Sequence, residues 1–313
     1  MRAYAIDQFG EPGSVHELPE PTPSEGQVRV RVEAASINPA DVVMMKGFYK
    51  DMMEHRFPLV PGLDLGGVVD LVGPGVDALQ VGDPVFGVHG KMLVGEGALA
   101  DYTTASAATI ARRPASIDAA FGAALSLAGV SALQMVDAAG VKPGDVVLII
   151  GAAGGIGSFA VQLVAGAGAK PIAVTRSVNH DYVLALGAAE TIDYTTQDVD
   201  ETVRTTHPDG IAAIFDLVGN KEANNHLAEL VRGGGHVVSM VGGADPEALA
   251  SRGVTGVNVM TQGTTERLQR LAGLVEAGKV KRPEIRTFPL EEAGKALAEI
   301  ETRHVRGKLV VVP

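Results

Sequence analysis

The stretch LIIGAAGGIGSFAVQLV, residues 148–164, decides the fold. An apolar run that reads as a buried strand enters a turn of glycine, alanine and isoleucine, and an apolar helix follows, beginning near Ser158. The turn Ala152-Ala153-Gly154-Gly155-Ile156-Gly157 has no side chain able to do chemistry. Its spacing is that of the dinucleotide fingerprint, with alanine at the first glycine position. Gly154 would let the backbone approach a pyrophosphate, and Gly157 would let the helix lie close on the strand. The helix start would turn free N–H groups and a partial positive charge towards phosphates. Ala153, Gly154, Gly155, Ile156 and Gly157 are therefore the candidate cofactor loop. An ordinary tight strand-to-helix turn shares this spelling, so the surrounding pattern has to decide.

That pattern repeats. From about residue 120, helical and apolar strand segments alternate about six times: PIAVT, HDYVLALGAAETIDY, GIAAIFDLVG, ANNHLAELVRGGGHVVSMVG and TGVNVMTQG follow the glycine turn. Continuous apolar strands between helices predict an α/β fold, a Rossmann-type doubly wound parallel sheet. The first 120 or so residues read differently. QVRVRVEAASI alternates Val28, Val30 and Val32 with polar neighbours, the period of a half-buried strand. GVVDLVG, DPVFGV and ADYTTAS are short strands bounded by Gly, Pro and Asp, which predicts a β-rich, barrel-like domain. After residue 263, TTERLQRLAGLVEAGKV is an amphipathic helix with Leu268, Leu271 and Val275 on one face. A strand (284–289), a helix (291–303) and the apolar strand KLVVVP complete the chain. This tail is too short to fold alone and is expected to return to the first domain. The expected division is 1–121 with 264–313, and 122–263, with the ligand in the cleft between them.

Composition narrows the function. The 313 residues carry a net charge of −11 and no dense Lys/Arg cluster, so nucleic acid is not an expected partner. The absence of cysteine removes disulfides, thiolate catalysis and cysteine-held zinc. The eight histidines (16, 55, 89, 180, 207, 226, 236 and 304) show no HxH or HExxH spacing and read as surface or cap residues. No run of about 18 apolar residues is evident, and the opening MRAYAIDQFG has no apolar core of a leader. A cytoplasmic protein without a membrane partner is the expectation.

The end of the second strand chooses the dinucleotide. An acidic residue about 20 positions beyond the turn would take the ribose hydroxyls of NAD. Here the strand ends at Arg176, followed by Ser177. Arginine cannot accept from a hydroxyl but pairs with a 2′-phosphate, so NADPH is the expected cofactor; a solvated surface arginine is the alternative. Asn179 and His180 are helpers to that phosphate or caps of the next helix. The loops DLVGN and SMVGG fall at the C-terminal ends of later strands, which places Val218, Gly219, Met240 and Gly242 against nicotinamide, with Asn220 less certain.

Together these segments resemble the medium-chain dehydrogenase/reductase superfamily. They are most similar to its zinc-independent, zeta-crystallin-like quinone oxidoreductases, over nearly the whole chain. SINPADVVMMKGFY, FPLVPGLDLGGVVDLVGPGV, VGDPVFG, KPGDVVLIIGAAGGIG, LGAAETIDY, IFDLVGN and RGKLVVV carry the resemblance in family order. It implies a GroES-like domain beside the Rossmann domain. By motif position, the catalytic-zinc slots of the alcohol dehydrogenases fall on Asn38, Leu63 and Ala124, two of which cannot bind metal. The family often binds the 2′-phosphate through a lysine where this chain has Asn179; Arg176 is the candidate replacement. Tyr194 matches a tyrosine beside the adenosine phosphate, or is half-buried core. Ser131 matches a hydroxyl near the nicotinamide phosphate, or is a small helix residue.

Three residues are candidates for the acceptor end. Asn38 can hold a carbonyl oxygen or the carboxamide, or simply form a turn before proline. Asp41 can orient Asn38 or a water, or cap a helix. Tyr49 can donate to an oxygen that gains charge, or stand at a rim. The methionines of MMKGFYKDMMEH form a flexible lip or pack in the core. Without zinc to polarise an alcohol, the resemblance implies NADPH-dependent hydride transfer to an electron-poor acceptor, a quinone or α,β-unsaturated carbonyl. An enoyl-thioester or polyketide tailoring reductase, and a non-catalytic NADPH-binding sensor, remain alternatives. The edge strand GVNVMT predicts a homodimer that covers it.

Overall fold

The computed structural model describes every residue except Met92. In the first part of the chain, β1 (Arg2–Ala5) and β2 (Ser14–Glu17) form a small antiparallel ladder. β3 (Gln27–Ser36) leads to α1 (Pro39–Met45), and β4 (His55–Val60), β5 (Asp64–Val72), β6 (Pro84–Val88), β7 (Val94–Glu96), β8 (Tyr102–Ser106) and β9 (Ile110–Arg112) follow. Helix α2 (Ala119–Ala139) opens the second part. There β10 (Val146–Ile150), α3 (Gly155–Gly166), β11 (Lys170–Val174), α4 (His180–Ala185), β12 (Glu190–Ile192), α5 (Val199–Thr206), β13 (Ile211–Asp216), α6 (Lys221–Leu227), β14 (Val231–Ser239), α7 (Pro246–Ala250) and β15 (Thr255–Asn258) alternate. The tail is α8 (Thr265–Glu276), β16 (Ile285–Pro289), α9 (Ala293–Glu301) and β17 (Lys308–Val312).

The period read in QVRVRVEAAS is the period observed. Val28, Val30, Val32 and Ala34 are at most 5% exposed, and β3 pairs antiparallel with β5, β8 and β17. Burying one valine contributes about 1.5–3 kcal/mol, so this strand is a large share of its core. The tail returns as expected: β17 lies between β3 and β16 in a sheet ordered β16-β17-β3-β5-β6-β9. The other sheet is wholly parallel, ordered β12-β11-β10-β13-β14-β15. Numbered from the glycine-turn strand, that order is 3-2-1-4-5-6, the doubly wound dinucleotide-binding arrangement. Leu148, Ile172, Ile214 and Val237 at its centre are fully buried.

The chain divides into two compact units whose boundaries differ from the sequence expectation by a few residues and by one short segment. One comprises Met1–Leu127, Gly263–Glu276 and Glu284–Pro313; the other comprises Ala128–Gln262 and Ala277–Pro283. The division falls inside α2 and not at residue 121, because one unbroken helix carries the chain from one unit to the other. The segment 277–283 joins the second unit because the buried Gln162 side chain of α3 holds its backbone. Gln162 Nε2 donates to Lys281 O at 3.1 Å, and Lys281 N–H donates to Gln162 Oε1 at 2.6 Å. Two smaller readings also change. Helix α3 starts at Gly155, three residues before Ser158, with Gly154 as its cap position. And α2, contrary to the reading of no long apolar run, is long and apolar enough to cross a membrane by length and composition; 78% of its most apolar window is buried inside the protein.

Gln162→Leu keeps the side-chain volume and removes both bonds to Lys281. We expect amides of 277–283 to exchange at least about tenfold faster, with a global loss of about 1–2 kcal/mol, while β10 stays protected. Unchanged exchange in 277–283 would refute the clamp.

Candidate functional site

The glycine turn is dictated by space at one position and left open at another. A Cβ on Gly157 would meet Gly151 O at 2.3 Å and Ala152 C at 2.7 Å, so only glycine lets α3 close on the turn. A Cβ on Gly154 would meet only Gly151 O, at 3.4 Å. Glycine there is not required by packing; it leaves the helix start uncovered. No side chain caps α3, and no acidic residue stands in its first turn. The first helical bond at this end is Ser158 N–H to Gly154 O, so the N–H groups of Gly155, Ile156 and Gly157 precede the ladder. Ala153 is buried and presents only backbone. The twelve-residue α3 adds a partial positive charge. These residues fit a pyrophosphate.

At the end of β11 the Asp193 carboxylate is already committed. Asp193 accepts from Ser177 N–H (2.8 Å), Thr195 N–H (2.9 Å) and Thr195 Oγ1 (2.6 Å). These bonds, those from Thr195 first, hold its carboxyl well below the usual range. The guanidinium of the half-buried Arg176 has no ion pair or hydrogen bond with any described residue; its backbone carbonyl accepts from Asn179 N–H at 2.9 Å. Asn179 turns towards the strand, Nδ2 donating to Thr175 Oγ1 at 3.2 Å. His180 Nδ1 meets Thr191 Oγ1 at 3.1 Å, and its buried Nε2 has no partner. Tyr194 is 50% exposed, so it is not the half-buried core residue that a strand end suggested.

Beyond β13 and β14 the two loops are stapled together by a buried group that the sequence did not flag. Asp216 Oδ1 accepts from Val218 N–H (3.0 Å) and Gly219 N–H (2.9 Å), while its Oδ2 accepts from Ser239 Oγ (2.7 Å). Ser239 Oγ in turn accepts from Gly243 N–H at 2.8 Å. The staple leaves Val218 exposed and sets Gly219 and Gly242 at positive φ, with Met240 half-buried beside them. Asn220 is a helix cap, accepting from Ala223 N–H at 3.0 Å. Ser131 is fully buried in α2 with Oγ 2.7 Å from Thr261 Oγ1, which gives it an internal partner instead of an open face.

The acceptor-end candidates meet in a second buried network, within the first unit. Asn38, Asp41, Asp64, Ser36 and Lys308 are each at most 4% exposed. Lys308 Nζ donates to Asn38 Oδ1 (2.7 Å) and Ile37 O (3.1 Å). Asn38 Nδ2 donates to Asp64 Oδ2 (3.2 Å) and Ser36 O (3.3 Å). Asp64 Oδ1 accepts from Ser36 N–H and Oγ. Asp41 takes the N–H groups of Asn38 (2.7 Å) and Gly62 (3.0 Å). Asn38 thus spends its amide on the protein, and Asp41 is the acid of a helix-capping arrangement. Both are positioning residues here, and neither is open to an acceptor oxygen. Burial pushes Asp64 up and Lys308 down, each opposed by the other's charge. Lysine inside the apolar run KLVVV was the one sequence signal for this network. Tyr49 lies just past α1, half-buried and edge-on to Phe48 at 5.2 Å; its hydroxyl bonds to no described residue. Met45 is core, Met44 and Met53 pack against that core, and Met52 is 62% exposed.

Among the described residues no three His, Asp or Glu side chains form a metal-holding group. Ala124 and Leu63, at two of the zinc slots, carry no donor atom. The histidines depart from the surface reading in one place: His89 is 6% exposed.

The Asp41 carboxyl gives a pH prediction. Burial pushes it up to about 7, against the opposing bonds from Asn38 and Gly62 N–H groups. An unfolded aspartate releases its proton near pH 4. Between about pH 4 and 7 the folded chain therefore holds the extra proton, and stability falls as pH rises, by at most about 1.4 kcal/mol per unit. Urea unfolding at pH 5 and 7.5 should show this slope, and Asp41→Asn should flatten it. Equal slopes in both proteins would sink the assignment.

Comparison with known proteins agrees with this geometry. Residues 24–115 match the alcohol dehydrogenase GroES-like domain, and residues 186–311 match a family described as zinc-binding dehydrogenase. The chain is 33% identical to 2-methylene-furan-3-one reductase of Solanum lycopersicum, over 100% of this chain and 79% of that protein. It is 32% identical to a chloroplast envelope quinone oxidoreductase homolog of Arabidopsis thaliana, over 100% and 98%. The quinone oxidoreductase of Coxiella burnetii superposes with a TM-score of 0.88 at 32% identity, covering 100% of this chain and 99% of that one. The Escherichia coli quinone oxidoreductase, solved as its NADPH complex, gives 0.88 at 25% identity with both chains fully covered. With a doubly wound sheet, its glycine turn and a GroES-like unit closed by the C-terminal strand, the chain is an oxidoreductase of the medium-chain dehydrogenase/reductase superfamily and belongs with its quinone oxidoreductases.

Proposed function

We propose that this protein reduces quinones or α,β-unsaturated carbonyl compounds with NADPH, without zinc. One observation carries the cofactor assignment: Arg176, half-buried and with a guanidinium that has no partner among the described residues, stands 19 positions beyond the glycine turn where NAD-binding chains carry an acid. A guanidinium left unpaired beside a committed Asp193 suits a 2′-phosphate, with Ser177, Asn179 and Tyr194 around it. Gly154, Gly155, Ile156 and Gly157 would take the pyrophosphate through backbone N–H groups, and Ala153 would line it by its backbone. Val218, Gly219, Met240 and Gly242 would border the nicotinamide. Ser131, facing Thr261, would support α2 without touching phosphate.

The acceptor class follows from what the slots lack. Polarising a saturated alcohol or simple ketone for hydride transfer normally calls for a Lewis acid, and Leu63 and Ala124 cannot hold one. A conjugated acceptor is already electron-poor. The bound cofactor supplies the hydride; water can supply the proton, so that acceptor, NADPH and one proton give reduced acceptor and NADP+. A relative that is a 2-methylene-furan-3-one reductase and another described as an NADPH-dependent alkenal/one oxidoreductase fit this class. Tyr49 is available as a donor at the acceptor end, while Asn38 and Asp41 keep that end in shape. The reducing cytoplasm suits such chemistry, and a two-fold dimer would cover the edge strand β15.

Fluorescence titration tests the cofactor, and NADPH consumption with 1,4-benzoquinone and cyclohex-2-enone tests the reaction. Wild type should bind NADPH more tightly than NADH. Arg176→Ala should weaken NADPH at least about tenfold and leave NADH within about twofold, the loss of one charge-assisted contact. Equal affinities in the wild type would discard Arg176 as the selector. Tight binding without turnover on either acceptor would make the protein a binder of NADPH and not a reductase.

A further inference from the structure

One buried polar group in the first unit has no task in the preceding account. His89 follows β6, and its N–H donates to Leu63 O at 3.0 Å, fixing it beside the Gly62–Leu63 turn. Its Nδ1 accepts the Lys91 N–H at 3.0 Å, so the ring proton sits on Nε2. Nε2 has no partner among the described residues, in a side chain only 6% exposed. Burial, aided by the Lys91 charge, pushes the imidazole down to about 3, so the ring is neutral. That Nε2–H is left free to donate to an oxygen that comes within reach of the ring.

The ring lines a cavity of about 40 Å³ walled by Met44, Met53, Leu59, Leu63 and Leu93. That volume holds about three water-sized groups, a carbonyl and the carbons beside it. Lys91 also lines it, but its ammonium is engaged, donating to Glu96 O at 2.8 Å and Glu96 Oε2 at 3.3 Å. The free donor is therefore a neutral N–H in an apolar wall, next to the turn that carries one of the empty zinc slots.

We infer that His89 Nε2–H receives the carbonyl oxygen of a compact α,β-unsaturated ketone or aldehyde, the acceptor's head seated in this cavity. The inference rests on the reductase reading and names its substrate class. Hydride and its electron pair add to the β-carbon, and the π pair of the double bond moves to form an enolate. The Nε2–H keeps its proton and strengthens its bond as charge grows on the oxygen; water protonates the α-carbon. A neutral imidazole does this without the cost of burying a cation. A large flat quinone is a poorer fit to this small cavity and is expected to depend on this donor far less.

The test uses the full-length protein at saturating NADPH, with but-3-en-2-one and 9,10-phenanthrenequinone as acceptors. His89→Leu should lower kcat for the enone about 100- to 1000-fold, the effect of one lost oxyanion donor. His89→Gln, which keeps an N–H donor, should recover to within about tenfold of wild type. NADPH affinity and phenanthrenequinone turnover should stay within about fivefold, since neither needs the cavity. Enone kcat retained within about threefold in His89→Leu would overturn the inference, as would parallel loss of NADPH affinity and both activities. If the variants do not fold, the wild type decides: saturable movement of the His89 Nε2 nitrogen resonance on adding butan-2-one supports it, and no movement overturns it. Should the wild type reduce neither acceptor, the reductase reading fails, and the butan-2-one titration still decides what His89 binds.

Discussion

The ammonium of Lys308 holds the first unit to its own C-terminus. It lies 4% exposed on the last strand and donates to Ile37 O and Asn38 Oδ1, about 270 residues earlier in the chain. Burying a cation is costly unless hydrogen bonds and an opposite charge compensate. Here two acceptors and the nearby Asp64 charge do so, and Asp64 is itself satisfied by Ser36 and Asn38. Each member answers another, and the network exists only when β17 is in register with the end of β3. Apolar contact along β17 would tolerate a slide of two residues; a buried charge with fixed acceptors would not. The network therefore selects one register and with it the position of α1, the Gly62 turn and everything attached to that turn.

The two units treat polar groups in opposite ways. In the first, nearly every buried polar atom of the Asn38 region is consumed internally, which makes a rigid frame and leaves little for a ligand. In the second, glycine exposes backbone donors at the start of α3, and the Asp193 and Asp216 carboxylates are occupied by neighbouring N–H and O–H groups. Occupying those carboxylates matters for an anionic cofactor. A free carboxylate at either loop would repel phosphate, while a committed one shapes the loop and has its charge partly neutralised by the donors it accepts from. The net charge of −11 is therefore compatible with an anion site, since exposed charges beyond about 8 Å are screened and local donors dominate.

Local sequence made much of this legible. Strand β3, the parallel strands and the glycine turn follow from periodicity and residue type, because each is decided by which face a side chain buries or by whether a Cβ fits. The place of Arg176 just past β11 was legible from a fixed spacing along one βα unit. The return of the tail was legible because a single helix and two strands cannot make a core. What stayed hidden depends on partners distant in sequence. The bond between Gln162 and Lys281 moved 277–283 into the second unit, and nothing in either residue's neighbourhood announces it. Asn38 looked like an open donor because its neighbours say nothing of Lys308. The apolar length of α2 was overlooked for a related reason: its glycines and serines mask a helix buried on most sides.

His89 shows why such sites escape a sequence reading. Eight scattered histidines without metal spacing read as surface, and that reading suits a titratable ring in water. Tertiary structure changes the chemistry of this one. The Leu63 carbonyl fixes its backbone, the Lys91 N–H fixes its tautomer, and the surrounding methionine and leucine side chains remove its charge. The donor role needs all three: a mobile ring would not aim, the other tautomer would present an acceptor, and a solvated ring would protonate. Together they convert a general acid–base residue into a fixed neutral donor. Such a donor suffices only where the acceptor brings its own electron deficiency, because a neutral N–H polarises a carbonyl far less than a metal ion does.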